Sequence, residues 1–295
     1  MGRAGEGPRP QPAPARTAPA HRRTRRGSPA DQLPRRRLLN TAAAADGQVP
    51  DGAHELSTGQ TNRVWYVGGI APYVLKHYGD AARAANEAAA LTLLARHGAP
   101  APTLLSADPR ADPPWTAQAA IHGEPVPVQD LLDELAEPLA AVHRIPGQHA
   151  GRLAGARRHR SWPDYLHDRL TAYAKAAPDL APVAAALRIE LDALALDGVE
   201  PRLLHHDLQP SHLVRAPRRL LLDWELAAFG DPLSDPARLA VRLRLPDPAI
   251  AAALVHRSGP GAGRRMALYW HIHLLADAAF ATDPAVRAFA HTRLA

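Results

Sequence analysis

The chain has 295 residues, 46% of them apolar, and contains no cysteine. This length allows one large domain or two lobes with a substantial core. The lack of cysteine excludes disulfides, thiolate metal sites and a cysteine nucleophile, and it agrees with a reducing compartment, so we expect a cytoplasmic protein. No apolar run approaches the roughly 20 residues that a membrane-spanning helix needs, and we expect no membrane partner.

The positive charge of the chain is concentrated at its amino terminus. Residues 1–40 contain ten arginines against two acidic residues, a net charge of +8, and subtracting this from the +6 of the whole chain leaves −2 for residues 41–295. Residues 1–48 are rich in Pro, Arg and Ala and are predicted to form a disordered tail, which could include sequence translated from upstream of the true start. Two alternatives are an arm making weak, nonspecific contacts with nucleic acid or another anionic surface, and a twin-arginine export signal at residues 35–45.

After the tail, two strand-like segments flank a glycine turn. Residues 63–67 and 72–78 alternate in polarity around Gly68 and Gly69, which predicts an antiparallel hairpin. The second strand contains Lys76, one of only two lysines among 35 basic residues. A lysine is a compact charge that suits phosphate oxygens. This residue is therefore interpreted as a phosphate-binding lysine, and the alternative is an exposed strand lysine.

Two neighbouring segments favour the phosphate-binding interpretation. The first is a small polar turn whose backbone N–H groups can face a phosphate, formed by Gly59, Gln60, Thr61 and Asn62. The second is a predicted helix over residues 81–96, in which Glu87 is the only acid. This glutamate is expected to form an ion pair with Lys76, and the alternative is a solvent-facing side chain.

The remainder of the chain is predicted to be mostly helical. A strand begins at Trp115 and runs into a turn at Gly123. Apolar spacing then predicts helices, the second of them capped by Ser161, at about residues 128–143, 163–176, 182–196, 248–256 and 264–279. Strands with one helix, followed by a helical region, predict an α+β protein with two lobes and a cleft.

Residues 203–225 interrupt the helical region and carry the strongest functional signal. They place Asp207 and His212 on a short loop between apolar runs, and Asp223 at the end of a strand-like segment, residues 220–222. Two carboxylates and an imidazole brought together by a strand, a loop and a strand indicate divalent metal binding and proton transfer. This combination is typical of phosphate chemistry.

These residues resemble the motifs of a known family. Three segments are similar to the catalytic and metal-binding motifs of aminoglycoside phosphotransferases and related small-molecule kinases. They are the loop His205-His206-Asp207-Leu208-Gln209-Pro210-Ser211-His212, the segment Asp223-Trp224-Glu225 and the segment Gly230-Asp231-Pro232. The resemblance covers about residues 50–280. It implies a bilobal protein-kinase-like fold, with a sheet-plus-helix N-lobe at residues 49–122 and a helical C-lobe at residues 123–295.

The resemblance also implies roles for individual residues. Asp207 would orient or deprotonate the acceptor hydroxyl, and Asp223 would bind Mg²⁺ at the terminal phosphates. Lys76, held by Glu87, would bind the phosphates of ATP or GTP, as would the polar turn before the first strand.

Other positions receive supporting roles from the same resemblance. The backbone from Gln118 through Ala120 to Ile121 would bind the nucleotide base. His205 is expected to shape the loop through hydrogen bonds of its ring to the backbone, and Asp231 and Asp235 are expected to brace the loop and cap a helix.

His212 departs from the family, most members of which carry asparagine as the second metal ligand there. Imidazole binds Mg²⁺ but prefers softer metals, so this histidine could weaken or alter the metal site. The macrolide-phosphorylating branch has a similar histidine, and the loop is most similar to that variant. We therefore expect an active kinase.

The acceptor is expected to be a small molecule with a hydroxyl group, bound by helices near residues 161–176 and 269–277. Aminoglycosides, macrolides and metabolites such as choline or homoserine are all compatible with the sequence. The side chains that could line this pocket, with a place in the core as the alternative for the aromatic ones, are Tyr269, Trp270, His271, His273 and Asp277.

Two other classes of function stay open. One is a catalytically silent kinase-like binding module. The other is a metal-dependent phosphohydrolase built on the adjacent pair His206-Asp207.

Overall fold

The structure is a computed structural model that describes residues 46–58, 62–155, 157–194, 196–245 and 261–295, with side chains except at positions 57, 58 and 197. The described residues belong to one compact unit, Leu38–Ala295. Residues 1–45 of the predicted tail, the turn residues Gly59, Gln60 and Thr61, and the helix predicted near residues 248–256 lie outside the described residues. In the part of the chain that is described, no helix is long and apolar enough to cross a membrane.

The first lobe is built on an antiparallel sheet of five strands in the order β1-β2-β3-β5-β4. The strands are β1 (His54–Thr58), β2 (Asn62–Val67), β3 (Tyr73–Tyr78), β4 (Leu104–Asp108) and β5 (Trp115–Ala119). The predicted hairpin is present, because β2 and β3 pair from Asn62 opposite Tyr78 to Val67 opposite Tyr73. Gly47, at the end of the predicted tail, also contacts this lobe, since the His77 ring hydrogen-bonds to its carbonyl at 2.7 Å.

Alternation along β3 directs Lys76 towards the helix of this lobe. Leu75 is fully buried in a cluster with Trp65 and Trp115 on one face of the sheet. Because successive side chains point to opposite faces, Lys76 points to the other face. Helix α1 (Ala81–Arg96) packs there, over the residues predicted for it, and is capped by Asp80, whose carboxylate accepts the Ala82 N–H at 2.8 Å.

The second lobe combines six α-helices of the described residues with short strands. The helices are α2 (Leu131–His143), α3 (Trp162–Ala176), α4 (Ala181–Ala193), α5 (Ser234–Arg242), α6 (Ala262–Phe280) and α7 (Pro284–Leu294). The strands are β6 (Glu124–Pro125), β7 (Gly151–Arg152), β8 (Arg202–Leu204), β9 (Leu213–Arg215), β10 (Arg219–Leu221) and β11 (Ala228–Gly230). They form two small sheets, with the orders β10-β9-β6 and β7-β11-β8.

Some helix boundaries differ from the sequence prediction. The helix predicted over residues 128–143 starts with a separate 3₁₀ turn, Val128–Asp130, before α2. The helix predicted to reach residue 196 ends at Ala193 and is followed by another 3₁₀ turn, Leu196–Gly198. Helix α5 was not predicted, because its Ser-Asp-Pro start is typical of a turn; Pro236 lies in its first turn, where a missing N–H costs little.

The hydrophobic core connects the two lobes. One cluster of buried side chains joins Leu91 and Leu94 of α1 to Leu135 and Leu139 of α2, and it includes Trp224, which follows β10. A second cluster holds α3, α4, α5 and α6 together. Because α1 belongs to the first of these clusters, it is packed against the second lobe as well as against the sheet.

Candidate active site

The loop that follows β8 is held by Asp235 of α5. The Asp235 carboxylate accepts the N–H of His205 at 2.9 Å and the N–H of His206 at 2.7 Å, and it contacts the His143 ring at 2.9 Å. This carboxylate is fully buried. It therefore fixes the backbone of the two residues that precede Asp207 in the loop.

The two histidines before Asp207 are committed to packing. The His205 ring lies 2.7 Å from the Leu222 carbonyl through Nε2 and is buried. His206 has a φ of 64° and packs among Trp162, Tyr165 and His273. Burial lowers the pKa of His206 well below its ordinary value, so the ring is neutral. This placement in the core disfavours a phosphohydrolase metal centre built on the His206-Asp207 pair.

The Asp207 carboxylate is paired with arginines of α5. Arg238 donates from Nε at 3.0 Å and from Nη2 at 2.9 Å, and Arg242 donates from Nη2 at 3.3 Å, all to Oδ1 of Asp207. Arg238 also donates to Asp277 of α6 at 2.7 Å. Burial would raise the pKa of Asp207, but the charges of Arg238 and Arg242 outweigh burial and hold this pKa well below its ordinary value. Asp207 is therefore a weak base that can still accept a hydrogen bond.

Lys76 binds three carboxylates that come from different parts of the chain. Its Nζ lies 2.9 Å from Glu87 on α1, 2.5 Å from Asp223 after β10, and 3.1 Å from Glu225. Burial would lower the pKa of Lys76, but the charges of Glu87 and Asp223 outweigh it and raise this pKa well above its ordinary value. The lysine is therefore a permanent cation, and the cluster of one ammonium and three carboxylates has a net charge of −2.

The Glu87 side chain is the centre of a wider network. It accepts hydrogen bonds from the Tyr78 hydroxyl, from Gln118 Nε2 at 3.0 Å and from the Trp224 N–H at 3.2 Å. This corrects the expected role of Gln118, whose side chain supports Glu87 and whose backbone pairs with Val74 and Leu104 inside the sheet.

The segment after Gln118 is also partly occupied by internal hydrogen bonds. The Ala119 N–H donates to Thr103 at 2.8 Å, and the Ala120 N–H donates to Pro72 at 3.1 Å. These two N–H groups are therefore not free to bind a nucleotide base, and the base-binding role of the remaining residue of the segment, Ile121, stays a prediction.

Two residues of α1 that the sequence did not single out, Arg83 and Asn86, join this helix to the segment after β10. Arg83 of α1 contacts Glu225 at 2.7 Å, and Glu225 also accepts a hydrogen bond from Asn62 at 2.5 Å. Asn62, expected at the phosphates, thus reaches the segment after β10. Asn86 donates to the carbonyls of Glu225 at 3.0 Å and Ala227 at 2.9 Å.

The other side of Asn86 is used as well. Its Oδ1 accepts the Leu153 N–H at 2.9 Å and the Ala154 N–H at 3.1 Å. The sequence signal for Glu225 was its position two residues after Asp223; Arg83 and Asn86 carried none.

The carboxylate oxygens near Asp223 could bind a divalent cation. Oxygens of Glu87, Asp223 and Glu225 lie within 4.8 Å of one another, and the Asp223 side chain is 33% exposed. Carboxylate oxygens are the ligands that Mg²⁺ prefers. Three carboxylates against the two cations Lys76 and Arg83 leave a net charge of −1, which also favours binding of a cation.

His212 lies at the edge of this group. Its Nε2 is 3.4 Å from Asp223 Oδ2 and 2.5 Å from Gln209 Nε2. Burial lowers the pKa of His212 to about 4, so the ring is neutral at pH 7 and keeps a nitrogen lone pair. The neutral ring is compatible with the predicted metal role, although the described cluster of three potential ligands does not include it.

Five residues of α6 were expected to line the pocket for the acceptor molecule. One of them is connected to Asp207, and the other four make contacts elsewhere in the second lobe. The Tyr269 hydroxyl donates to Asp231 at 2.9 Å, the His273 ring contacts Ser234 at 3.0 Å, and Trp270 is buried. His271 turns back to the Ala267 carbonyl at 2.9 Å. Asp277 alone of the five reaches the Asp207 site, through Arg238.

Comparisons with known proteins agree with this geometry. The model of the phosphotransferase enzyme family (APH) matches residues 52–269. No curated protein sequence matches the chain.

Several solved structures share the fold. A thermostable mutant of aminoglycoside phosphotransferase APH(4)-Ia has a TM-score of 0.65 at 21% identity, covering 84% of this chain and 94% of that chain. Choline kinase LicA from Streptococcus pneumoniae has a TM-score of 0.62 at 15% identity, covering 83% and 92%. A putative fructosamine-3-kinase from Haemophilus somnus 129PT has a TM-score of 0.62 at 16% identity, covering 82% and 91%. A further structure of APH(4)-Ia, at 19% identity and a TM-score of 0.62, is a ternary complex with ADP and hygromycin B.

The fold is therefore the bilobal, protein-kinase-like α+β fold that the sequence predicted. The match over residues 52–269 shows that the chain belongs to the phosphotransferase enzyme family. It is a phosphotransferase with a hydroxyl acceptor.

Proposed function

We propose that the chain transfers the γ-phosphate of ATP or GTP to a hydroxyl group of a small antibiotic-like or metabolite molecule. The observation that carries the proposal is the meeting of Lys76 with Glu87 at 2.9 Å and with Asp223 at 2.5 Å. These residues come from the sheet, from α1 and from the segment after β10. The fold therefore brings together the cation and the carboxylate to which the proposal assigns phosphate binding and metal binding.

Each residue of the cluster has a distinct task in this proposal. Lys76 binds the nonreacting phosphates, and Glu87 holds its side chain in place. Asp223 and Glu225 hold Mg²⁺, with His212 as the predicted further ligand. When bound, Mg²⁺ neutralises the charge on the phosphate oxygens. The backbone from Ile121 onwards binds the nucleotide base.

Asp207 orients the acceptor hydroxyl. The arginine contacts of Asp207 fall on Oδ1, which leaves Oδ2 to accept the hydrogen bond of the acceptor. The acceptor oxygen bonds to the γ-phosphorus as the bond to the β–γ bridging oxygen breaks. The nucleoside diphosphate leaves, and the hydroxyl proton passes to the transferred phosphoryl group or to solvent. A loose transition state needs little help from a base, so a weakly basic Asp207 is sufficient.

The pairing of Asp207 with Arg238 and Arg242 also favours the second candidate, a kinase-like binding module without turnover. Both candidates require nucleotide binding, and they differ only in product formation. The test is a nucleotide-consumption screen with Mg²⁺, ATP and GTP in parallel against aminoglycosides, macrolides and metabolite alcohols.

We expect acceptor-dependent consumption that falls by about 10²-fold or more in Asp207→Asn, which keeps the shape of the side chain. Nucleotide binding without consumption by any acceptor would support the binding module. Absence of nucleotide binding by the folded protein would refute both candidates.

A further inference from the structure

A pocket of about 150 Å³ opens beside the catalytic loop. Gln209 of the loop forms one wall, Arg242 and Arg244 at the end of α5 form another, and Asp277 of α6 and Phe289 of α7 complete it. Arg242 also contacts Asp207 at 3.3 Å. The pocket therefore lies where a molecule that presents a hydroxyl group to Asp207 can extend.

The charges around this pocket do not cancel. Arg238 and Arg242 share the two carboxylates of Asp207 and Asp277. Arg244 has no carboxylate within 4.0 Å among the residues that the structure describes, and its guanidinium lies over the Phe289 ring at 5.8 Å. Counted over the described residues alone, three guanidinium groups against two carboxylates leave an excess of one positive charge.

Some polar side chains that line this pocket have hydrogen-bonding groups without partners. Among the described residues, two buried atoms of the pocket's lining side chains have no hydrogen-bond partner: the donor Nε of Arg242, and the acceptor Oδ2 of Asp277, which lies 3.7 Å from Nη1 of Arg242. Arg244 is exposed, and its φ of 54° turns the chain at the end of α5, where its side chain lines the pocket. Planar guanidinium groups bind carboxylate and phosphate oxygens in pairs, whereas an ammonium group on a ligand would be repelled here.

We propose that this pocket selects acceptors that carry a carboxylate or phosphate group in addition to the reacting hydroxyl. Arg244 and Arg242 hold the anionic group while Oδ2 of Asp207 holds the hydroxyl. A polycationic aminosugar is disfavoured by the same charges. This inference rests on the proposed phosphotransfer function and narrows its acceptor class.

The test uses three sugars that differ mainly in charge: glucuronate, glucose and glucosamine. Each is titrated calorimetrically into the full chain saturated with Mg²⁺ and AMP-PNP. We expect glucuronate to bind about tenfold more tightly than glucosamine, with glucose between them. Equal affinities, the reverse order, or no binding of any of the three overturns the proposal.

Two variants test the role of the pocket charge. Arg244→Gln is expected to weaken glucuronate binding about fivefold while glucose binding changes little, because only the anion loses a charged partner. Arg110→Gln, an exposed arginine between β4 and β5, removes the same charge from the other lobe and should leave the order of affinities intact. Equal losses in both variants would assign the preference to net charge and overturn the role of the pocket.

The first titration in this series, AMP-PNP alone, separates the two proposals. Failure of AMP-PNP to bind contradicts the phosphotransfer function itself. Binding of AMP-PNP with glucosamine preferred over glucuronate contradicts only the anionic acceptor class.

Discussion

Replacing Lys76 by methionine tests the electrostatic cluster without relying on turnover. The Lys76 side chain is 9% exposed and the Glu87 side chain is 1% exposed. Lys76→Met keeps the length and most of the apolar contacts of the side chain but leaves Glu87, Asp223 and Glu225 without their shared cation. Removing one partner of a buried ion pair typically costs about 3–5 kcal/mol, because the remaining charge stays buried and unpaired.

Urea unfolding at pH 7 measures this loss as a change in the free energy of unfolding. Lys175→Met is the matched control, because Lys175 is the other lysine of the chain and is exposed on α3. We expect the control to change stability by less than about 0.5 kcal/mol.

Repeating Lys76→Met in a Glu87→Gln variant tests whether the unpaired Glu87 carboxylate causes the loss of stability. In a chain that already carries Glu87→Gln, Lys76→Met should cost less, by at least about 1 kcal/mol, because the buried carboxylate is gone. A cost below about 1 kcal/mol for Lys76→Met alone, or an equal cost in both backgrounds, would refute the reasoning.

Two further predictions concern pH and packing. Burial lowers the pKa of His273 to about 3. Below pH 6.5 this histidine therefore binds a proton in the unfolded chain but not in the folded chain, so the free energy of unfolding decreases as the pH is lowered. His273→Gln should remove about 2 kcal/mol of the loss in unfolding free energy between pH 7 and pH 5, and an unchanged pH slope would contradict this. A Cβ at Gly230 would clash with the Trp162 ring, so Gly230→Ala should lower the free energy of unfolding by about 1–3 kcal/mol, measured by urea unfolding. Gly263→Ala on α6, where a Cβ meets nothing within 4 Å, should not, and equal effects would argue against a steric cause.

Local patterns were sufficient to predict the elements that carry the site. Alternating polarity indicated the β2–β3 hairpin, and alanine and leucine spacing indicated α1 over the residues that it occupies. A solitary acid on that helix indicated the contact of Glu87 with Lys76, which is present at 2.9 Å. These features depend on residues close in sequence, and that is why the sequence contained them.

The contacts around Asp207 could not be predicted in the same way. Arg238 and Arg242 are four residues apart and so share one face of α5, but the Pro and Asp residues at the start of this helix resemble a turn. Which carboxylate an arginine meets depends on how helices cross, as in the case of Asp277, which follows Arg238 by 39 positions. The aromatic residues of α6 are in the core because this helix contacts neighbours on several sides.

The four hydrogen bonds of Asn86 bear on how a nucleotide enters and leaves. One amide joins α1 to the carbonyls of Glu225 and Ala227 and to the N–H groups of Leu153 and Ala154. If the whole first lobe swung outwards, all four bonds would break at once. We therefore expect α1 to stay with the second lobe as one mechanical body, while the strands around Lys76 bend away from it. Movement of the first lobe would then have to take place between its strands and α1, where the buried ion pair of Lys76 with Glu87 opposes it.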